Sequence, residues 1–531
     1  MRRFLSAFIG VHLCQLVLFS QTPVTSARLD QALSEPKNWL TYWGDYSAIR
    51  HRNLKQITAD NVQNLRLDWV YQTGETGAFE TVPLVVDGVM YITAPKGIAV
   101  ALDAKSGRQL WQYKHSFPPG RNLSGVNRGL AISGDRLFMV TPDSNVVAIE
   151  AKTGKLIWQV EMAPYKAGTH YGSLAPLVIH DKVLVGISGG EQGVRGFIEA
   201  YDIATGKRAW RFYTVPLKGE PGGDTWLGDS AMRGGGPAWM TGTYDPKLNL
   251  TYWGVGNPGP DLYGEVRKGD NLYSCSLVAL DPDTGTLKWH FQFTPHDLHD
   301  WDAEETPMLL DIEWRGKPRK VVMQANRNAF FYILDRETGE FLSGRPFANQ
   351  TWAKGLDDKG RPELLPNTIP TPEGVRVCPG LAGATNWMAP SYNPDTKLFY
   401  FAQRNQCDVF FSEPPIYTEG KAYWGSVFRG ATDEKESGAL KAYDPLTGKT
   451  AWEFHYQKAP WAGTLSTAGN LIFSGDEDGY LMAFNAQTGK NLWKMNTGAR
   501  LVTSPITYEV DGRQYIAMPS GSALLTFALP H

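Results

Sequence analysis

The chain lacks an excess of either charge: 52 lysines and arginines stand against 54 aspartates and glutamates, a formal net charge of −2 over 531 residues. It also lacks a basic run, which argues against nucleic acid as a partner. Beyond the N-terminus no apolar stretch approaches the roughly 20 residues that a membrane span needs, so no span is expected in the mature chain. Cysteine is scarce, with four in all, and no Cys-x-x-Cys-His occurs. That excludes covalent attachment of a c-type haem to this sequence.

The one long apolar run is N-terminal. Arg2 and Arg3 precede a stretch from Phe4 to Phe19 that His12 and Gln15 interrupt, and Thr25-Ser26-Ala27 offers small residues for cleavage. This pattern predicts a secretory signal peptide over residues 1–27, with an exported, soluble chain over 28–531. Cys14 lies inside the leader. Export gives meaning to Cys275, Cys378 and Cys407, because an oxidising compartment favours disulfides and three cysteines leave one over. Cys378 and Cys407 stand at loop edges, whereas Cys275 lies in the strand-like "YSCSLVALD". The expectation is a Cys378–Cys407 bridge with Cys275 a buried thiol.

What the sequence does have is repetition. "ALDAKSGRQLW", "AIEAKTGKLIW", "AYDIATGKRAW", "ALDPDTGTLKW", "ILDRETGEFLS", "AYDPLTGKTAW" and "AFNAQTGKNLW" follow one another along the chain. Each reads as a short apolar strand, a turn carrying glycine, and a second strand. Trp111, Trp158, Trp210, Trp289, Trp452 and Trp493 fall four places after the glycine, and the fifth copy departs with Ser343. A tryptophan at that point is large enough to plug the space between adjacent sheets. Strand–turn–strand units repeating every 40–50 residues or so predict an all-β propeller. Two longer gaps, between Gly206 and Gly285 and between Gly339 and Gly448, are expected to hold insertions. "LRLDWVYQTGE" and the terminal "ALLTFALP" are left to close an eighth blade. One ring is thus expected in place of several domains.

Against this background "HDLHDWDAEE", residues 296–305, concentrates five carboxylates and two imidazoles in ten positions where a strand ends. Further stretches share its density of special residues: "SGGEQGVRG", "GPAWM", "GVGNPGPD", "FETVPLVV", "GVNRGLA" and "QANRNAFF". Together with the Gly–Trp repeats, they resemble the pyrroloquinoline-quinone-dependent alcohol dehydrogenases, the family of eight-bladed propellers that includes methanol dehydrogenase. The resemblance covers essentially the whole mature chain. Similar repeats also build non-enzymatic scaffold propellers of the bacterial outer-membrane assembly machinery. That is the alternative from another class, and it would need the repeats without the site residues.

The resemblance implies a role for each position. Asp300 is the expected base, taking the hydroxyl proton as hydride leaves carbon for the quinone. Glu191, Asn257, Asp300 and Asp302 are the expected metal ligands. Asp302 matches an additional aspartate of lanthanide-using members, so a lanthanide is favoured with Ca²⁺ as the other option. Glu80, Arg128, Ser173, Ser188, Gly189, Gly190, Trp239, Arg327, Asn386, Trp387 and Trp461 are expected around the quinone, with Trp239 stacked on its face. Three departures stand out. Pro237 replaces a threonine two places before Trp239, Ser173 replaces a threonine, and Asn122 and Leu123 stand where methanol dehydrogenase-like members carry a vicinal cysteine pair. The implied protein is a periplasmic dehydrogenase of a primary alcohol, with the aldehyde left open as a further substrate. It would pass electrons to a cytochrome c; a homodimer is left open.

Overall fold

A computed structural model describes residues 22–118, 125–165, 169–433 and 435–530. Most of the expected leader, residues 1–21, and the Asn122–Leu123 departure lie outside them. Residues 22–27 do not stand apart from the body. Val24 is buried and bridges Gly134, Thr25 caps the short helix Ser26–Asp30, and Arg28 ion-pairs with Glu35 (2.8 Å) and Asp87 (2.7 Å). A cut after Ala27 would remove the Val24 anchor and the Thr25 cap.

The chain is all-β and built mainly of four-stranded antiparallel sheets, as expected for a β-propeller. Most of the larger sheets are meanders of consecutive strands. The first is Leu84–Val86, Val89–Ala94, Ile98–Asp103 and Gln109–Lys114, and the fourth is Thr243–Asp245, Leu250–Val255, Ser276–Leu280 and Leu287–Gln292. In the first sheet the three leading strands are buried and the fourth is half exposed, so each sheet hides one edge and turns the other to water. The N-terminal strand Arg66–Gln72 pairs antiparallel with the C-terminal Ala523–Ala528, and His51–Arg52 runs parallel to Leu465–Thr467.

The repeated tryptophans join one sheet to the next. Trp111 covers Gly154, Trp158 covers Gly206, Trp210 covers Gly285, Trp289 covers Gly339 and Trp452 covers Gly489. A Cβ on any of these glycines would stand within 2.5–2.8 Å of the indole, and all five have φ between +72° and +76°, so both space and backbone require glycine. Each indole N–H also donates to a carbonyl of the covered turn, as Trp111 does to Ala151 (2.9 Å) and Trp452 to Ala486 (2.9 Å). Trp69, on the N-terminal strand, also covers Gly107, with its indole N–H left without a hydrogen-bond partner. In the fifth copy Arg345 takes the place of the missing tryptophan, lying over Gly448 and donating to the Thr447 carbonyl.

The two long gaps hold insertions. The second carries two small sheets, Ala353–Leu356 with Pro362–Leu364, and Val375–Val377 with Asp408–Phe410 and Phe428–Gly430. The Cys378–Cys407 disulfide ties this insertion together, and Cys275 is free and buried, both as the sequence predicts.

Candidate active site

The stretch 296–305 connects Leu287–Gln292 of the fourth sheet to Met308–Trp314 of the fifth, and it is not a solvated loop. Asp297, Asp302, Glu304 and Glu305 are each at most 4% exposed. Buried carboxylates need donors, and most of these have them. Asp297 accepts from the amides of His299 (3.3 Å) and Trp301 (3.1 Å), and Glu304 from those of Trp239 (3.1 Å) and Met240 (3.0 Å). Asp302 accepts from the Asn257 amide (2.6 Å) and the Trp239 indole N–H (3.0 Å). His299 donates from Nε2 to the Thr368 carbonyl (2.9 Å) and stacks on Trp301.

Asp300 differs. Its φ is +61°, a conformation that costs a non-glycine residue on the order of 1 kcal/mol. Its side chain is 17% exposed, the freest of the five carboxylates, and among the described residues it ion-pairs with Arg327 at 3.5 Å. Arg327 comes from the turn between Lys317–Ala325 and Phe330–Asp335. It donates to the Asp300 carbonyl (2.6 Å) and to Asn386 Oδ1 (3.3 Å), and pairs with Asp302 (3.1 Å) and Glu305 (3.7 Å). One buried guanidinium therefore answers three carboxylates. Burial alone would lower its pKa, yet Asp302, Asp300 and Glu305 raise it above the ordinary value. Burial pushes the Asp300 carboxyl far above its usual range; Arg327 opposes this, while Asp302, Asp261 and Glu191 add to it. Glu191 is raised by burial and by Asp302.

These groups face a cavity of about 200 Å³. Its wall is made by Arg128, Ser173, Ser188, Gly189, Glu191, Trp239, Asp300, Asp302 and Arg327, with Val126, Tyr171 and Pro237. Behind the wall, Glu80 ion-pairs with Arg128 (2.9 Å), whose guanidinium lies 4.9 Å from the ring centroids of both Trp239 and Trp387. The Ser173 and Ser188 hydroxyls are hydrogen-bonded at 2.8 Å. Gly189 has φ +110°, with the Thr169 carbonyl where a Cβ would be, and a Cβ on Gly190 would meet Pro237 at 2.7 Å. Trp461 is not in the wall; it lies over the Arg404 guanidinium at 4.2 Å.

The expected metal ligands do not form a tight cluster. Among the described residues no three His, Cys, Asp or Glu side chains converge closely enough to hold an ion by themselves. The cause is visible in Arg327, which draws Asp300, Asp302 and Glu305 to itself. The donor set nonetheless suits a hard cation, being all oxygen. Asn257 Oδ1 is buried with no hydrogen-bond partner, a neutral donor placed one residue's amide away from Asp302. Arg128, Arg327 and the two serine hydroxyls suit a planar group bearing carboxylates, with Trp239 offering a flat surface. Tyr171, Glu304 and Glu305 join this site without having been assigned a role from the sequence, although Glu304 and Glu305 lie in the stretch 296–305. For Tyr171 the signal was its place two residues before Ser173.

Comparison with known proteins identifies the family. Residues 39–345 and 456–516 match the PQQ family, described as "Glucose/ethanol/alcohol dehydrogenase, beta-propeller domain". The chain is 40% identical to the quinohemoprotein alcohol dehydrogenase ADH-IIG of Pseudomonas putida, over 95% of this chain and 75% of that one. It is 38% identical to the quinoprotein alcohol dehydrogenase PedH of Pseudomonas putida KT2440, over 93% and 88% of the two chains. A solved europium-containing methanol dehydrogenase superposes with a TM-score of 0.89 at 33% identity, covering 95% of this chain and 100% of its own. The chain belongs to the PQQ-dependent dehydrogenase family. Its activity is that of a quinoprotein alcohol dehydrogenase.

Proposed function

We propose that the protein is a periplasmic, eight-bladed quinoprotein that oxidises a primary alcohol with Asp300 as the base. Eight four- or five-stranded sheets among the described residues, counting the one shared by the N- and C-terminal strands, support a single closed ring. Pyrroloquinoline quinone is held by Arg128, Arg327, Ser173 and Ser188 against Trp239, and a metal ion by Glu191, Asn257, Asp300 and Asp302. When bound, the quinone supplies a two-electron acceptor and the cation a Lewis acid.

The chain's own residues do the rest. Asp300 faces the cavity from a backbone held in the left-handed region. A bound cation would keep its carboxylate ionised and able to accept the alcohol proton. Arg327 fixes it through the Asp300 carbonyl and balances its charge. Much of the wall is buried, with Tyr171 exposed at its edge. Three carboxylates and one amide oxygen favour a trivalent lanthanide over Ca²⁺, a preference that the europium-containing relative supports. Export uses an N-terminal leader, with the cut upstream of Thr22 so that Val24 and Thr25 stay. Electrons leave to a separate cytochrome c.

The observation that carries this reading is Asp300 itself, the freest carboxylate of the group and one that lines the cavity. Asp300→Asn keeps the size and removes proton acceptance. It is expected to cut kcat by about 10²–10⁴-fold with quinone content unchanged. Alcohol oxidation at the wild-type rate would remove Asp300 from the reaction.

A further inference from the structure

A second cavity, of about 340 Å³, lies beside the disulfide of the inserted sheets, and none of its lining residues lines the catalytic one. Asn349, Arg404, Asn405, Gln406, Lys435 and Ser437 form its wall together with Cys378 and Cys407. The register of one strand pair gathers these side chains. Asn405 stands opposite Ser437, and Arg404 opposite Gly438, where Leu398–Asn405 ends and Ser437–Asp444 begins. Among the described residues the lining carries two cations and no carboxylate.

Arg404 is the buried member of this wall, 3% exposed, with its guanidinium 4.2 Å from the Trp461 ring centroid. Its Nη1 donates to the carbonyls of Ala459 (3.2 Å) and Pro460 (2.9 Å), which hold the group in place. The rest of the fork is poorly served. Nη2 reaches only Gln406 Oε1, at 3.5 Å, and Glu436 Oε1, at 3.9 Å, while Nε has no hydrogen-bond partner. Glu436 is a weak counter-ion, since its side chain is 44% exposed and the same oxygen already accepts from the Ala459 amide (3.1 Å). Burial pulls the Arg404 pKa down to about 10, against the attraction of Glu436 and Glu477. The exposed Lys435 adds a second positive charge at the rim, beside the half-buried Ser437.

A buried cation with idle donors is costly, and an anion that supplies acceptors removes the cost. A planar guanidinium matches two oxygens of a carboxylate or phosphate, whereas a spherical ion uses the fork less well. We propose that this cavity is a binding site for a small oxyanion, a carboxylate or inorganic phosphate, held by Arg404 from within and by Lys435 and Ser437 at the rim. The site goes beyond the dehydrogenase reading and does not depend on it, because no residue of the catalytic cavity contributes to it.

Titration calorimetry on the quinone- and metal-loaded protein tests this, with sodium acetate and sodium phosphate as probes against sodium chloride at equal ionic strength. The wild type is expected to bind acetate or phosphate saturably, with a Kd below about 10 mM. The tighter of the two arms tells an organic acid from inorganic phosphate. Arg404→Gln should weaken that binding at least about tenfold. Lys435→Glu, which alters only an exposed side chain, should weaken it about threefold or more while alcohol oxidation stays at the wild-type rate. Should Arg404→Gln fail to fold, Lys435→Glu decides alone. Chloride binding as tight as both probes, wild-type affinity in every folded variant, or no saturable binding by the wild type each overturns the proposal and leaves the dehydrogenase reading standing. A wild type that binds the oxyanion but oxidises no alcohol would overturn that reading and keep this site.

Discussion

At the scale of the residue, Asp302 bears the most consequence for metal choice. Both its oxygens already have protein donors: the Asn257 amide on one, and the Trp239 indole with Arg327 on the other. It is thus held in place at the cavity wall. Placing it beside Glu191 and Asp300 around a divalent ion would leave excess negative charge, which a trivalent ion absorbs. Reconstitution with quinone plus La³⁺ is therefore expected to give activity, and Ca²⁺ little. Asp302→Ala should move the preference towards Ca²⁺ or abolish lanthanide use. Equal wild-type rates with the two ions would reduce Asp302 to a positioning partner of Trp239 and Arg327. The motifs located Asp300, Asp302, Glu191 and Arg128 because residue type and order survive in a linear string. Burial does not. That Glu304 clamps the Trp239 backbone, or that Asp261 lacks a donor, depends on chain segments dozens of residues apart. Trp461 was expected beside the quinone by motif alone, and its stacking on Arg404 has no local signature.

At the scale of the element, the Gly–Trp unit was legible because its period is local, while its partner was not. Sequence predicts a tryptophan between sheets; only the fold shows that each covers the glycine of the following sheet. Trp289 is 8% exposed, covers Gly339 and donates to the Arg336 carbonyl (3.3 Å). Trp289→Ala should lose about 3–5 kcal/mol of stability, read as an earlier urea midpoint. A loss under about 1 kcal/mol would show that neighbouring side chains refill the space. The inserted loops were legible only as gaps in the period. Their disulfide closes a separation of 29 residues. Reduction is expected to cost about 3 kcal/mol, and Cys275 should alkylate only after unfolding. Mass mapping that finds Cys275 in the bridge would contradict the pairing.

At the scale of the whole molecule, the buried acids set how stability varies with pH. Burial raises Asp297 to about 6 and pushes Asp261, Asp300, Glu304 and Glu305 well above their usual range. A raised carboxyl binds its proton more tightly in the folded chain. Its contribution is present below the unfolded pKa near 4 and is lost as pH rises through the folded value. His51, His170 and His299, lowered to about 4 by burial, work the other way between pH 6.5 and 4. The acids outnumber them. Protein stripped of metal should therefore gain thermal stability from pH 8 to about 5.5, and a bound lanthanide should flatten that slope. A melting temperature that falls with acid across this range in the stripped protein would give the histidines the larger share. The ring's seam has a consequence in time. Gln72 pairs with Ala523, some 450 positions later, so the strand Arg66–Gln72 has no partner until almost the entire chain has been delivered. At synthesis rates of about 5–20 residues per second the wait is on the order of 20–90 seconds. Throughout it an edge strand ending in exposed main-chain donors and acceptors is open to other chains. The yield of native protein is then decided during emergence and not afterwards, by whatever shields that edge from its neighbours until the last strand arrives.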